Sequence, residues 1–272
     1  MSQRIALVLE FDGHAFSGWQ RQRNAPSVQQ ALEQALARIE GHSVATVAAG
    51  RTDAGVHAEA LLVHVDVSAS RWLRSPRAYV HGVNALLPAT IRVLGARAVA
   101  ADFHARFDCL ERAYRYQIWN RQTVSALHRW QHWWMPRPLN LDLMREAARY
   151  CLGRQDFSAL RASGCQARHP VREVREVVIT RSGCCICIEV RADAFLYHMV
   201  RNLVGNLVEV GLGKRTPEDF AHLLKGRNRA AGAATAPAQG LFFTDARYAD
   251  FRARDLVLGQ SPAESAYATP SG

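Results

Sequence analysis

The chain almost lacks lysine: of its 34 basic residues only Lys214 and Lys225 are not arginine. It has no apolar run of about 18 residues, so no segment reads as a membrane-spanning helix. No glycine-rich phosphate loop or dinucleotide fingerprint occurs. Its six cysteines are Cys109, Cys151, Cys165, Cys184, Cys185 and Cys187, and their spacing does not suit a zinc site or a disulfide framework. Cys185 and Cys187 alternate with Ile186 and Ile188 and read as small apolar residues of a buried strand. The N-terminus runs directly into a strand-like segment with no separate apolar leader or cleavage site. A signal peptide is therefore not expected, and the expected compartment is the cytoplasm.

What is present is positive charge: against 24 acidic residues the net charge is +10. Neutralising phosphates releases counterions, so such a balance favours a polyanionic partner. Arginine adds planar donors that fork onto phosphate and stack on bases. The plainer alternative is the basic surface of an arginine-rich chain. With 272 residues, 49% of them apolar, the chain can bury a sizeable core in one large domain or two modest ones.

Periodicity gives a repeat. Residues 4–11 read as a strand. Ser27 opens a capping box with Gln30, and Val28, Ala31, Leu32, Ala35, Leu36 and Ile39 follow at helical spacing up to Gly41. Strands are expected at 44–49 and 61–67, a helix at 76–87 and a strand at 91–99. The same order returns with a strand at 113–119, a helix at about 142–152, strands at 173–180 and 185–191, a long apolar helix at 195–210 and a closing strand at 241–248. A short helix after Pro217 and an Ala/Gly-rich loop near 230–239 are inserted before that strand. The expected class is α+β: two ferredoxin-like β-α-β-β-α-β half-repeats with sheets joined edge to edge, helices on one face and a cleft on the other. The expected divisions are 1–105, 106–250 and a flexible tail over 251–272.

The sharpest segment is Gly50-Arg51-Thr52-Asp53-Ala54-Gly55-Val56-His57, between two strands. An aspartate beside an arginine stays ionised, and can serve as nucleophile, general base or metal ligand. The alternative is a turn whose aspartate caps the backbone. A metal reading would use Asp53, His57 and His64, without a further carboxylate cluster. Arginine and aromatic residues interleave at Gly18–Arg23, at Phe103–Phe107 and at Arg112–Tyr116, a mixture suited to RNA. Tyr114 and Tyr116 share one strand face, however, and core packing explains them equally. Arg201 sits in an apolar helix and needs an acidic partner, the local choice being Asp193.

Phe11-Asp12-Gly13, GWQRQ at 18–22, GRTDAGVHA at 50–58, GVNALLP at 82–88, DFHARF at 102–107, YRY at 114–116 and HMVRN at 198–202 together resemble the tRNA pseudouridine synthase A family, across about 250 residues. The resemblance implies a homodimeric enzyme, without metal or cofactor, that isomerises uridine at positions 38, 39 and 40 of the tRNA anticodon stem-loop. It implies that Asp53 is the catalytic aspartate and that Tyr114 lies against the target uracil. It further implies that Arg51 helps take the base out of the stack and that Arg201 pairs with Asp53, which would put the site at the seam of the two halves. The alternatives are a non-catalytic tRNA-binding protein and a synthase of the same fold acting on another RNA.

Overall fold

The computed structural model describes residues 1–257, which divide into two units. The first unit holds Met1–Leu110 with the described residues from Thr244 onward, and the second holds Glu111–Phe243. Strand β10 (Leu241–Arg247) carries the chain from the second back to the first.

In the first unit, β1 (Ser2–Phe11) leads to α1 (Val28–Glu40). Ser27 caps α1, its hydroxyl accepting from Gln30 N at 3.3 Å, and Gly41 ends it in the left-handed region at φ 78°. Leu32 and Leu36 are fully buried on the inner face, each worth about 1.5–3 kcal/mol of apolar burial. β2 (Thr46–Ala48), β3 (His57–Ser68) and β4 (Ile91–Ala98) complete a sheet in the order β4-β1-β3-β2, every pairing antiparallel. β3 starts at His57, four residues before the expected strand, because Ala58 already pairs with Phe11.

The expected helix over 76–87 is broken. The chain forms α2 (Ala69–Arg74), a 3-10 turn over Pro76–Tyr79 and α3 (His81–Leu86). Tertiary contacts override the local period. The buried Tyr79 donates its hydroxyl to Glu40 of α1, and its ring packs on Trp72 at 5.5 Å. Asn84 spends its side-chain amide on Val93 of β4, donating to its carbonyl at 2.8 Å and accepting from its N–H at 2.7 Å. Residues 251–257 form a further turn: Ala253 is fully buried and Arg254 pairs with Glu59 at 2.5 Å. This turn lies so close to β4 that a Cβ on Gly95 would stand 1.7 Å from the Leu256 carbonyl. The rest of the expected tail, 258–272, lies outside the described residues.

In the second unit, β5 (Glu111–Trp119), β9 (Cys185–Ala192), β8 (Val171–Ser182) and β7 (Gly153–Asp156) lie in the order β5-β9-β8-β7, again antiparallel. The two-residue β6 (Trp133–Trp134) runs parallel to the end of β5. Helices α4 (Leu141–Arg149), α5 (Met199–Gly211) and α6 (Pro217–Gly226) pack on one another. β9 is buried on one face only, not throughout as expected: Ile186 and Ile188 are buried while Cys185 and Cys187 are partly exposed, since the larger apolar side chains take the inner face. Cys184 and Cys187 do stand in C-x-x-C spacing at this hairpin, yet among the described residues no group of three metal-ligating side chains forms.

Candidate active site

The 50–57 motif is a turn held from behind by backbone. Val56 N–H donates to the Asp53 carbonyl at 3.1 Å, and Gly55 turns the chain at φ 77°. Trp19 N–H donates to the Thr52 carbonyl at 3.0 Å, and Gly55 N–H to the Phe16 carbonyl at 3.3 Å. Two glycines permit this approach. A Cβ on Gly13 would meet the Val56 carbonyl oxygen at 1.9 Å. One on Gly18, at φ 95°, would meet the Thr52 carbonyl oxygen at 2.6 Å and the Asp53 carbonyl carbon at 3.0 Å. Asp53 is thus half-buried on a turn whose main chain is fixed on the side of β1 and the 12–19 loop, while Arg51 is exposed beside it. Thr52 is buried, and its hydroxyl finds no partner among the described residues.

The histidines near this turn serve the scaffold. His57 is almost fully buried, and its Nδ1 lies 3.1 Å both from Gly13 N and from Asp12 Oδ1. One nitrogen cannot accept from the first and donate to the second. The Gly13 N–H can only donate, so Nδ1 carries the lone pair; Asp12 Oδ1 is satisfied instead by His14 N–H at 2.9 Å. His64 Nδ1 likewise accepts from Ala105 N–H at 3.0 Å. Burial, reinforced by the Arg4 cation, lowers its pKa to about 4, so it is neutral at pH 7. Both imidazoles considered for a metal therefore have Nδ1 taken by backbone.

Trp19, weighed for RNA stacking, is only 2% exposed and packs inside the first unit. Its neighbour Arg21 pairs with Glu33 at 3.1 Å. In the DFHARF segment His104 Nδ1 accepts from both Arg106 and Phe107 N–H, and its ring stacks on the exposed Phe107 at 4.2 Å.

In the second unit, Tyr114 lies on β5 with its ring edge-on to Phe195 at 5.0 Å and to Phe243 at 5.1 Å, which fixes the ring plane. Both tyrosines are buried, Tyr114 at 8% exposed and Tyr116, on the same face, completely. Tyr116 donates to the Pro237 carbonyl at 2.7 Å, and has its pKa pushed up by burial against the opposing Arg201 cation. Arg201 donates from Nε to the Ala236 carbonyl at 2.8 Å, while its own carbonyl accepts from Ala236 N–H at 3.2 Å. The local candidate Asp193 is occupied by backbone: its Oδ1 accepts from Glu173 N–H at 2.9 Å and Ala194 N–H at 2.6 Å.

Sequence reasoning missed the residues that hold Arg201's surroundings. Asn202 and Asn206 are fully buried on α5. Asn202 Oδ1 accepts from Arg229 at 2.9 Å and Thr235 at 2.7 Å, and Asn206 Oδ1 accepts from Ala233 N–H at 3.0 Å. Gly205 lets this loop touch the helix, since a Cβ there would stand 2.1 Å from the Ala234 carbonyl oxygen. The readable signal was the N-x-x-G-N spacing within an apolar helix, where buried amides require partners. His198, the residue before α5, holds φ 58°, a left-handed conformation costly for a non-glycine residue. It starts α5 at Met199, later than periodicity indicated.

A family model described as tRNA pseudouridine synthase matches residues 7–108 and 147–249. This chain belongs to that family. Its curated relatives include tRNA pseudouridine synthase A of Thiobacillus denitrificans, 48% identical over 90% of this chain and 93% of that protein. Those of Rhodospirillum centenum and Neisseria gonorrhoeae are 46% and 47% identical over 90% of this chain, covering 100% and 92% of their own lengths. Among solved structures, a chain of a Cbf5-Nop10-Gar1 complex matches at TM-score 0.34 and 12% identity, covering 88% of this chain and 57% of its own, a likeness too loose to carry an argument. The family matches take in Gly18, Asp53, Arg51 and Arg201 but leave the segment 109–146 unmatched, and Tyr114 falls there.

Proposed function

We propose that this protein isomerises uridine to pseudouridine at positions 38, 39 and 40 of the tRNA anticodon stem-loop, with Asp53 as the catalytic nucleophile and Arg51, Tyr114 and Arg201 binding the substrate. The observation that carries the reading is the 50–57 turn: glycine contacts and backbone donors fix its main chain, so the backbone that bears the Asp53 carboxylate is held in place before substrate arrives. Membership of the tRNA pseudouridine synthase family supports the substrate and the reaction.

In the reaction the N1–C1′ bond breaks, the uracil turns, and C5 bonds to C1′. The C5 proton is lost and N1 regains one, so the product is an isomer and no oxidant or energy source is consumed. The reacting atoms are inaccessible in a stacked helix, so the base must leave the stack. The exposed Arg51 suits that step, and Tyr114, its plane fixed by two aromatic neighbours, suits stacking on the free base. The two units are read as β-α-β-β-α-β half-repeats, and the working form as a cytoplasmic homodimer.

The test is Asp53→Asn, which keeps shape and removes charge. Pseudouridine mapping on an anticodon stem-loop transcript is expected to show no product with the variant, while tRNA affinity and thermal midpoint stay near wild type. Turnover close to wild type would remove Asp53 from the mechanism. Product at another uridine, or in another RNA only, would reassign the substrate.

A further inference from the structure

The connection from β5 to α4 carries chemistry that none of the family motifs uses. Between Asn120 and Asn140 stand Arg121, Arg129 and Arg137, His128 and His132, and Trp130, Trp133 and Trp134, with no acidic residue. Trp130 and Trp134 are 45% and 42% exposed, unusual for indoles. The Arg129 guanidinium lies 5.2 Å over the Trp130 ring, and Arg121 lies 4.9 Å over Trp119.

The segment is held in shape. Asn120 Nδ2 donates to the carbonyls of Met135, at 3.0 Å, and Arg137, at 2.6 Å, and its Oδ1 accepts from Arg181. Within the loop, Trp134 Nε1 donates to the Arg121 carbonyl at 3.0 Å, and Arg121 Nε donates to the Thr123 carbonyl at 2.8 Å. The rings and cations are therefore presented in a set arrangement, which lowers the ordering cost of binding.

We infer that this segment is an RNA-docking patch in which Trp130 and Trp134 stack on bases and Arg129 and Arg121 meet phosphates. It rests on the proposed function for the identity of that RNA, the tRNA substrate, and adds a contact that neither the motifs nor the family match includes. Charge selects the occupant. A segment with three arginines, no acidic residue of its own and exposed indoles matches a polyanion whose every base offers a π-face.

The experiment uses the full chain and a full-length tRNA transcript carrying uridine at 38–40. Affinity is measured by filter binding across a salt series and turnover by pseudouridine mapping. Trp130→Ala is expected to raise the Kd about tenfold through lost stacking, whereas Trp130→Phe, which keeps a platform, stays within about twofold. Arg129→Gln is expected to reduce the log–log salt slope by about one. In all three, kcat at saturating tRNA and the thermal midpoint should match wild type. If wild type makes pseudouridine in tRNA but all three variants bind as it does, the patch is refuted while the proposed function stands. A wild type that neither binds nor modifies tRNA refutes both. A change of oligomeric state with unchanged Kd would make the surface a protein interface and overturn the inference.

Discussion

Adding one methyl group at Gly18 tests whether the backbone clamp positions the 50–57 turn for the proposed chemistry. The new Cβ would stand 2.6 Å from the Thr52 carbonyl oxygen, 3.0 Å from the Asp53 carbonyl carbon and 3.1 Å from Ala54 N. All three are backbone atoms, so no side chain can swing aside. Restoring ordinary contact requires the 52–54 turn and the Gly18 loop to part by about 0.8 Å. Misplacement of a catalytic group by about 1 Å can cost on the order of 10²-fold in rate. The left-handed conformation at φ 95° adds about 1–2 kcal/mol of strain for alanine, and overpacking about 1–3 kcal/mol more. Gly41→Ala is the control. It has φ 78°, but its Cβ would meet nothing nearer than Arg71 Nη2 at 3.7 Å, so it carries the backbone strain without the collision. Single-turnover pseudouridine formation is expected to fall about 30- to 100-fold in Gly18→Ala and to stay at the wild-type level in Gly41→Ala, while the thermal midpoint falls in both. A Gly18→Ala enzyme within about twofold of wild type would refute the clamp argument. Equal rate loss in Gly41→Ala would refute it as well, by tracing the loss to instability.

Arg201→Ala should lose most turnover while still binding tRNA. Because it also removes a charged donor from the Ala236 carbonyl, stability should fall by about 1.5–3 kcal/mol in urea titration, and full turnover would dismiss Arg201 from the site. His64 has a folded-state pKa of about 4 against 6.5 unfolded, so the unfolded chain binds the extra proton first. Stability should therefore decline as pH falls from about 6.5 towards 4, by on the order of 2 kcal/mol, and His64→Gln should flatten that limb; an unchanged slope in the variant would assign it elsewhere. Wild-type affinity for tRNA should drop steeply between about 50 and 200 mM salt, and a flat response would show that the +10 charge does not face the RNA.

Where structure follows from neighbours along the chain, the sequence was readable. Ser27 and Gly41 bracket α1 because a hydroxyl that caps an amide and a glycine that tolerates positive φ act within one turn. Alternation gave β5 and β9 for the same reason, yet could not say which face of β9 is inward, and the isoleucines rather than the cysteines took it. The helix over 76–87 failed because Tyr79 and Asn84 answer to Glu40 and to Val93, partners 39 and 9 residues away. Trp19 likewise resembled a stacking residue in its arginine-rich context and proved to be core.

The sequence by itself determined the family and singled out Asp53, because a contiguous motif such as GRTDAGVHA records its chemistry in order. Tertiary structure alone decided how the main chain around Asp53 is held. The Gly18 contact, the lone pair of His57 that receives the Gly13 amide, and the asparagines of α5 that bind the 229–236 loop all join atoms distant along the chain. Their requirement is steric and directional, a missing Cβ here and an aligned donor there. No local periodicity encodes such a requirement, because the partner atom exists only once the chain has folded back upon itself.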